Sequence, residues 1–307
     1  MQPVVPIVAL VGPTAAGKTS LSLDLAERLG GEVVNTDAMQ VYRGMDIGTA
    51  KLPPAERHGI PHHLLDLLEV SEPATVAEFQ RWARVAIAGL RSREVTPVLV
   101  GGSALYTRAV LDRFDFPGTD PEVRARLEDE LAQVGSAALH RRLHDLDPGA
   151  AERIEASNGR RIVRALEVVE ITGRPFSASL PVQEYVDPHT VQVGIAIDRD
   201  ELEPRIRQRV DAMFDAGLVD EVRGLLDHGL SGSRTASRAI GYQQVLAHLE
   251  GRLTLDEARE RTVIATRQFA RRQMAWWRDD PRITWVPYDA PDRVEQALSA
   301  VRAMLGS

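Results

Sequence analysis

The stretch from Val4 to Thr19, VVPIVALVGPTAAGKT, decides the fold. Val4 to Val11 is a short apolar run that ends in glycine, the pattern of a strand buried on both faces of a parallel sheet. Gly12-Pro13-Thr14-Ala15-Ala16-Gly17-Lys18-Thr19 fits G-x-x-x-x-G-K-S/T at each fixed position. Behind it Leu21, Leu25 and Leu29, with Ala26 beside them, recur at helical spacing up to Gly30-Gly31. A loop between such a strand and such a helix turns its backbone N–H groups, and the positive end of the helix, toward phosphate oxygens. Lys18 adds a point charge and Thr19 a hydroxyl that can ligate Mg2+. The expected substrate therefore contains a di- or triphosphate, and the loop alone suggests ATP.

Outward from the loop, Glu32 to Asp37 reads as a second strand, Ala74 to Arg93 as a helix, and Pro97 to Gly102 as a third buried strand with a helix from Ser103. Alternating strands and helices imply an open α/β sheet whose ligands sit at the carboxyl ends of the strands. Gly12, Asp37 and Ser103 all fall at that edge. From Phe116 the character changes. Pro117-Gly118-Thr119-Asp120-Pro121 is turn chemistry with a helix cap, and an Arg- and Glu-rich stretch of helical period follows to Thr172. A strand-like run returns at Val191 to Ile197, with helices after it to Arg278. The expected fold is α/β: a P-loop-containing parallel sheet core, 1–115 and 190–307, with an inserted all-helical domain at 116–189.

Composition narrows the function classes. The chain of 307 residues has 44% hydrophobic and 26% charged residues, the balance of a soluble globular protein. With no cysteine, disulfides, thiolate metal sites and a cysteine nucleophile are excluded. No run approaches the roughly 18 apolar residues of a spanning helix. Met1 to Leu10 lacks the features of a signal peptide. No membrane association, a cytoplasmic location and a monomer are expected. The net charge of −7 weighs against a nucleic-acid partner, but it is an average over a chain whose arginines cluster.

A P-loop kinase or ATPase normally adds a late-strand aspartate to hold Mg2+. Here that strand ends in Gly101-Gly102-Ser103, and only Asp37 is well placed. Asp37 suits a base for a substrate proton, and equally an Asx turn or helix cap. His62-His63 is no metal site, since neighbours in sequence face apart and no third ligand is near. Trp276-Trp277 could stack on a base, although packing of the last long helix accounts for such large rings as well. Arg205, Arg207 and Arg209 alternate, as a solvated helix face also would.

The run from Asp37 to Lys51, DAMQVYRGMDIGTAK, resembles the signature of the tRNA dimethylallyltransferases (tRNA isopentenyltransferases). The resemblance continues through Gly59 to His63, Gly101 to Tyr106, Arg161 to Val168, Ser237 to Tyr242 and Thr266 to Gln273, in order across nearly the whole chain. It implies transfer of a dimethylallyl group from its diphosphate to N6 of the adenosine 3′ of the anticodon, in tRNAs reading UNN codons. Diphosphate is released and no ATP is consumed. The partners implied are dimethylallyl diphosphate and the tRNA anticodon stem-loop, with Mg2+ as cofactor on Thr19.

Carried over residue by residue, the likeness makes Asp37, Thr14, Lys18 and Arg209 catalytic. Gly12, Pro13, Thr14, Ala15, Ala16, Gly17, Lys18 and Thr19 become a diphosphate cradle. The implied tRNA contacts are Asp37, Ala38, Met39 and Gln40, then Ser103 and Arg124. Arg160, Arg161, Ile162, Val163 and Arg164 follow, and then Arg238, Ala239, Ile240, Gly241, Tyr242 and Gln243. Two departures stand out: Ala38 replaces the serine common after the aspartate, and Ala15-Ala16 stands where a serine or threonine often sits. No zinc-finger extension follows the core, so the likeness is to the bacterial type. Three other readings remain open: a P-loop small-molecule kinase, an RNA-binding protein with an inactive loop, and a prenyltransferase for free adenine nucleotides. The arginine clusters favour tRNA over a nucleotide. If Arg161 tracks a phosphate, Arg161→Ala weakens stem-loop binding and flattens its salt dependence by about one unit of slope. Salt titrations measure both, and unchanged values would remove Arg161 from the interface.

Overall fold

In the computed structural model, which describes residues 4–114, 116–176 and 183–306, the expected opening is present. Strand β1 (Ile7–Val11) leads through the loop into helix α1 (Lys18–Leu29), which ends at Gly30 in the left-handed conformation. There follow β2 (Gly31–Asn35), a two-residue β3 (His62–His63), α2 (Val76–Arg91), β4 (Thr96–Val100) and α3 (Ala104–Leu111). After α4 (Pro121–Val134), α5 (Ser136–Leu146), α6 (Pro148–Arg153) and α7 (Gly159–Thr172) the sheet resumes with β5 (Thr190–Ala196). Four helices, α8 (Arg199–Asp215), α9 (Leu218–Leu226), α10 (Tyr242–Leu249) and α11 (Leu255–Arg278), precede β6 (Ile283–Pro287) and α12 (Arg293–Leu305).

The six strands form one parallel sheet in the order β3-β2-β4-β1-β5-β6. β1 is central because every one of its residues is buried. Its alternate side chains serve opposite faces. Ile7 and Ala9 join Val34 and Leu99 in one core, and Val8 and Leu10 join Val33, Val98 and Val193 in the other. From β1 the chain runs to β2, returns to insert β4, and only then places β5 on the far side. The direction of winding therefore reverses at β1, and a crevice opens there beyond the strand ends.

The chain divides into two compact units, Met1–Leu111 with Tyr185–Ser307, and Asp112–Glu184. The sequence pattern places these edges at 115/116 and 189/190, a few residues later in the chain than 111/112 and 184/185. Of the segment 116–189, residues 177–182 lie outside the described residues, as do residues 1–3 at the start of the chain. Three core elements have no counterpart in the sequence reading: β3 and, beyond Arg278, β6 and α12.

Within the second unit Asp120 caps α4, its carboxylate accepting from the amides of Glu122 and Val123, with Pro121 in the first turn. Leu127, Leu139, Leu143, Ile162, Val163 and Leu166 form its core. Beside that core the fully buried Glu167 accepts from Arg124, from Arg164 at 2.7 Å and from the Asp120 amide at 3.2 Å. Arg164 also donates to the carbonyls of Pro117 (2.7 Å) and Gly118 (3.1 Å). A buried carboxylate is stable only while its cations remain, and the converse holds for them. Glu167→Ala should therefore lower the urea-unfolding free energy of this unit by about 3 kcal/mol. Unfolding followed at helices α4 and α7 checks this, and a change under about 0.5 kcal/mol would mean that the cluster does not stabilise this unit.

Candidate active site

The loop after β1 owes its shape to three backbone positions outside the usual region: Gly12 (φ 132°), Ala15 (φ 64°) and Gly17 (φ 94°). Two long polar side chains hold it from elsewhere in the fold. Gln273 of α11 accepts from the Thr14 amide at 2.9 Å and donates to the Gly102 carbonyl at 2.7 Å, joining the loop after β1 to the loop after β4. Arg205 of α8 donates to the Ala15 carbonyl at 2.9 Å. The glycines after β4 make this closeness possible. A Cβ at Gly101 would lie 2.3 Å from Thr36 Oγ1, and one at Gly102 2.1 Å from Gln273 Nε2, where moving the amide would break both of its bonds.

These loops enclose a cavity of about 500 Å3 at the carboxyl edge of the sheet. Among its walls are Thr14, Ala15, Gly17, Lys18 and Thr19 from the loop, with Asp37 after β2. Arg209 and Gln208 come from α8, and Phe269 and Gln273 from α11. Apolar surface is added by Ala50, Leu52 and Leu65.

Its electrostatics are lopsided. Lys18 Nζ donates to the carbonyls of Gly12 (3.0 Å) and Pro13 (2.6 Å). Burial first, and the Arg209 guanidinium second, pull its pKa down to about 7, while Asp37 opposes them. Burial likewise lowers Arg209, again opposed by Asp37. Arg209 has no hydrogen bond or ion pair to the described residues. Two confined cations thus share one carboxylate, a balance that an incoming anion with several charges would restore.

Asp37 serves a turn as well. Its amide donates to Asn35 Oδ1 at 2.8 Å, and its Oδ1 accepts from the Met39 amide at 2.9 Å. Oδ2 has no partner among the described residues, and Asp37 lines the cavity. Gln40 lines the cavity too, its amide donating to the Thr49 carbonyl at 3.1 Å. Thr19 is exposed, and its Oγ1 makes no hydrogen bond to the described residues, so it is available to a cation. Among the described residues no cluster of three His, Asp or Glu could hold a metal unaided.

The cavity thus gathers Thr14, Ala15, Gly17, Lys18, Thr19, Asp37, Gln40 and Arg209 from the expected set. Gly12, Pro13 and Ala16 are buried behind it. Ala38 and Met39 pack against the core, and the Ser103 carbonyl accepts from the Thr107 amide. Arg238 and Gln243 are exposed and Ile240 half-buried, whereas Ala239, Gly241 and Tyr242 are buried. Tyr242 gives its hydroxyl to Glu221. In the second unit Arg160 and Arg161 face solvent, Ile162 and Val163 are core, and Arg124 and Arg164 are engaged by Glu167.

Several site residues escaped the sequence reading. Gln273, Gln208, Phe269 and His62 all line the cavity. His62 and His63 do part company: Nδ1 of the first meets the Ile60 carbonyl, while Nε2 of the second meets Glu32 at 2.6 Å. Trp277 is wholly buried, but Trp276 is 45% exposed with Arg108 over its ring, so packing accounts for only one of the pair. His62, Phe269 and Gln273 lie in segments that carry the family likeness, which is the signal that could have found them.

A family model described as IPP transferase matches residues 40–280. The tRNA dimethylallyltransferase of a Nocardioides species is 70% identical over 300 residues, covering 98% of this chain and 97% of the relative. The full-length tRNA isopentenylpyrophosphate transferase of Bacillus halodurans superposes with a TM-score of 0.72 at 39% identity, covering 98% of this chain and 97% of its own. A eukaryotic dimethylallyltransferase acting on tRNA gives a TM-score of 0.81 at 26% identity, over 98% of this chain and 78% of its own.

The lowered pKa of Lys18 has a measurable consequence. A diphosphate favours the ammonium form, so binding above about pH 7 must draw in a proton, and affinity must fall as pH rises further. Calorimetry with dimethylallyl diphosphate near pH 8, in buffers of different ionisation enthalpy, should report uptake approaching one proton, abolished by Lys18→Met. Equal uptake in the variant would assign the proton elsewhere.

Proposed function

The chain belongs to the IPP transferase family, and from that premise we propose that it moves the dimethylallyl group of dimethylallyl diphosphate to N6 of the adenosine 3′ of the anticodon in tRNAs reading UNN codons. The observation that carries this reading is the placing of Arg209, which has no hydrogen bond or ion pair among the described residues, and half-buried Lys18 beside Asp37 in a cavity that also has an apolar wall. Diphosphate matches the cations and a five-carbon chain matches Ala50, Leu52 and Leu65.

An exocyclic adenine amine is a weak nucleophile because its lone pair is delocalised into the ring. The N6 lone pair attacks C1 of the allyl group while the C1–O bond breaks and its electrons leave with diphosphate. Asp37 Oδ2 takes the N6 proton. Lys18, Arg209 and the amides of the loop, at the positive end of α1, hold the charge that develops on the departing oxygens. Mg2+, when bound, supplies further charge neutralisation. Thr19 Oγ1 would be its protein ligand, with diphosphate and water supplying the rest, as suits an ion that keeps several waters. Gly101 and Gly102 occupy the place where a kinase would carry a metal-binding carboxylate, which supports transfer without ATP.

For the tRNA, the reading rests on Gln40 at the cavity and on exposed Arg160, Arg161 and Arg238 for phosphates. A base drawn out of its stack is the usual solution for chemistry at such depth. Among the described residues no helix is long and apolar enough to cross a membrane.

Incubation with carbon-labelled dimethylallyl diphosphate and an anticodon stem-loop, followed by nucleoside analysis, should place the label on N6 of that adenosine. Phosphoryl transfer from ATP with no label in RNA would overturn the reading. Asp37→Ala should cut turnover by about two to four orders of magnitude while leaving stem-loop affinity nearly intact. Turnover at the wild-type level would remove Asp37 as the base.

A further inference from the structure

Glu221, in the first turn of α9, carries four hydrogen bonds unrelated to the cavity's own chemistry. Its Oε2 accepts from the backbone amides of Asp46 (3.0 Å) and Ile47 (2.7 Å), and its Oε1 from the Gly48 amide (3.2 Å) and the Tyr242 hydroxyl. Three successive N–H groups converging on one point form the concavity that elsewhere binds a free anion. Here the protein fills it with its own carboxylate, at the end of α9 where negative charge is favoured.

Gly48 then lies flat on Tyr242. A Cβ there would come within 2.4 Å of the ring's Cε2 and 2.9 Å of Leu218 Cδ1. A second anchor lies three residues on, where buried Lys51 donates to Asp46 and Asp66 at 2.6 Å each and to the Tyr42 carbonyl at 2.9 Å. Between the two anchors are Thr49 and Ala50. Both line the cavity, and the Thr49 carbonyl receives the Gln40 side chain.

We infer that Glu221 and Tyr242 are positioning residues for the acceptor side of the cavity, holding the segment Asp46–Ala50 and, through it, Gln40. The inference rests on the proposed function, since it is the target base that Gln40 would meet. Neither residue touches the P-loop, Lys18 or Arg209, so the clamp should act on the geometry of reaction and not on capture of the anion. In Glu221→Gln an amide N–H2 confronts donors that a carboxylate had satisfied, and the segment should open.

Three measurements on the full chain test this. Hydrogen exchange at the amides of 46–48 should rise at least tenfold in Glu221→Gln. Its kcat for alkylation of the stem-loop should fall about ten- to a hundredfold, as expected for small misplacement of reacting groups. The Kd for inorganic diphosphate should stay within about twofold, because its ligands are untouched. Wild-type kcat in this variant, or a parallel loss of diphosphate binding, would overturn the inference. If Glu221→Gln does not fold, Tyr242→Phe is judged by the same criteria with a several-fold fall in kcat. Failure of the wild-type chain to alkylate would instead sink the proposed function, and the exchange and diphosphate readings would still judge the clamp.

Discussion

Lys18 and Arg209 are held in one cavity with a single carboxylate to answer them, and most of the active site can be understood as a consequence. A buried cation is costly unless something nearby compensates it. Lys18 is partly relieved by two loop carbonyls, and Arg209 has no hydrogen-bonded partner among the described residues. Desolvation weakens both charged forms. The arrangement is tolerable because the cavity is open enough to admit an anion, and its stabilisation of that anion grows as charge accumulates on the leaving oxygens. Catalysis by a positioned field needs nothing further from these residues.

Such a field is useful only if its parts stay in register, and the register comes from long-range polar ties more than from the loop itself. Gln273 spans two loops that follow different strands, and it can reach them because Gly101 and Gly102 carry no side chains. Arg205 holds the far side of the loop, stacked over Tyr288 at 5.3 Å. On the opposite wall Glu221 and Lys51 hold a segment that has no regular structure of its own. The sheet sets the positions of the strand ends, and these side chains convert them into a cavity with fixed walls.

The sheet core was largely legible in the sequence. A double-faced apolar strand, a glycine loop and a leucine-spaced helix are local patterns, and β1, the loop and α1 follow from them. β2, β4 and β5 were readable for the same reason. β6 was not, because it is a five-residue edge strand in which only Ile283 and Val286 are buried, and charged residues and a proline precede it. β3 is only two residues long and exists through pairing with β2. In the site, Asp37 was legible because it follows an apolar strand at the ligand edge. One of its oxygens serves the turn, and the residue still lines the cavity. Gln273, Gln208, Phe269 and Glu221 come from distant helices, and only the fold brings them near the loop. Charge patterning says nothing of internal pairing. Arg124 and Arg164, tRNA contacts by the family likeness, are both ion-paired with Glu167, whose burial no local pattern reveals.

Central to the account is a phosphate loop that holds a diphosphate as leaving group, so that the bond broken is carbon to oxygen and never phosphorus to oxygen. Dimethylallyl diphosphate carrying 18O in the bridging position, turned over with an anticodon stem-loop, reads that bond directly. The account predicts all of the heavy oxygen in the released diphosphate and none in an alcohol. Heavy oxygen retained on the five-carbon fragment would mean phosphoryl chemistry at the loop, and would contradict it.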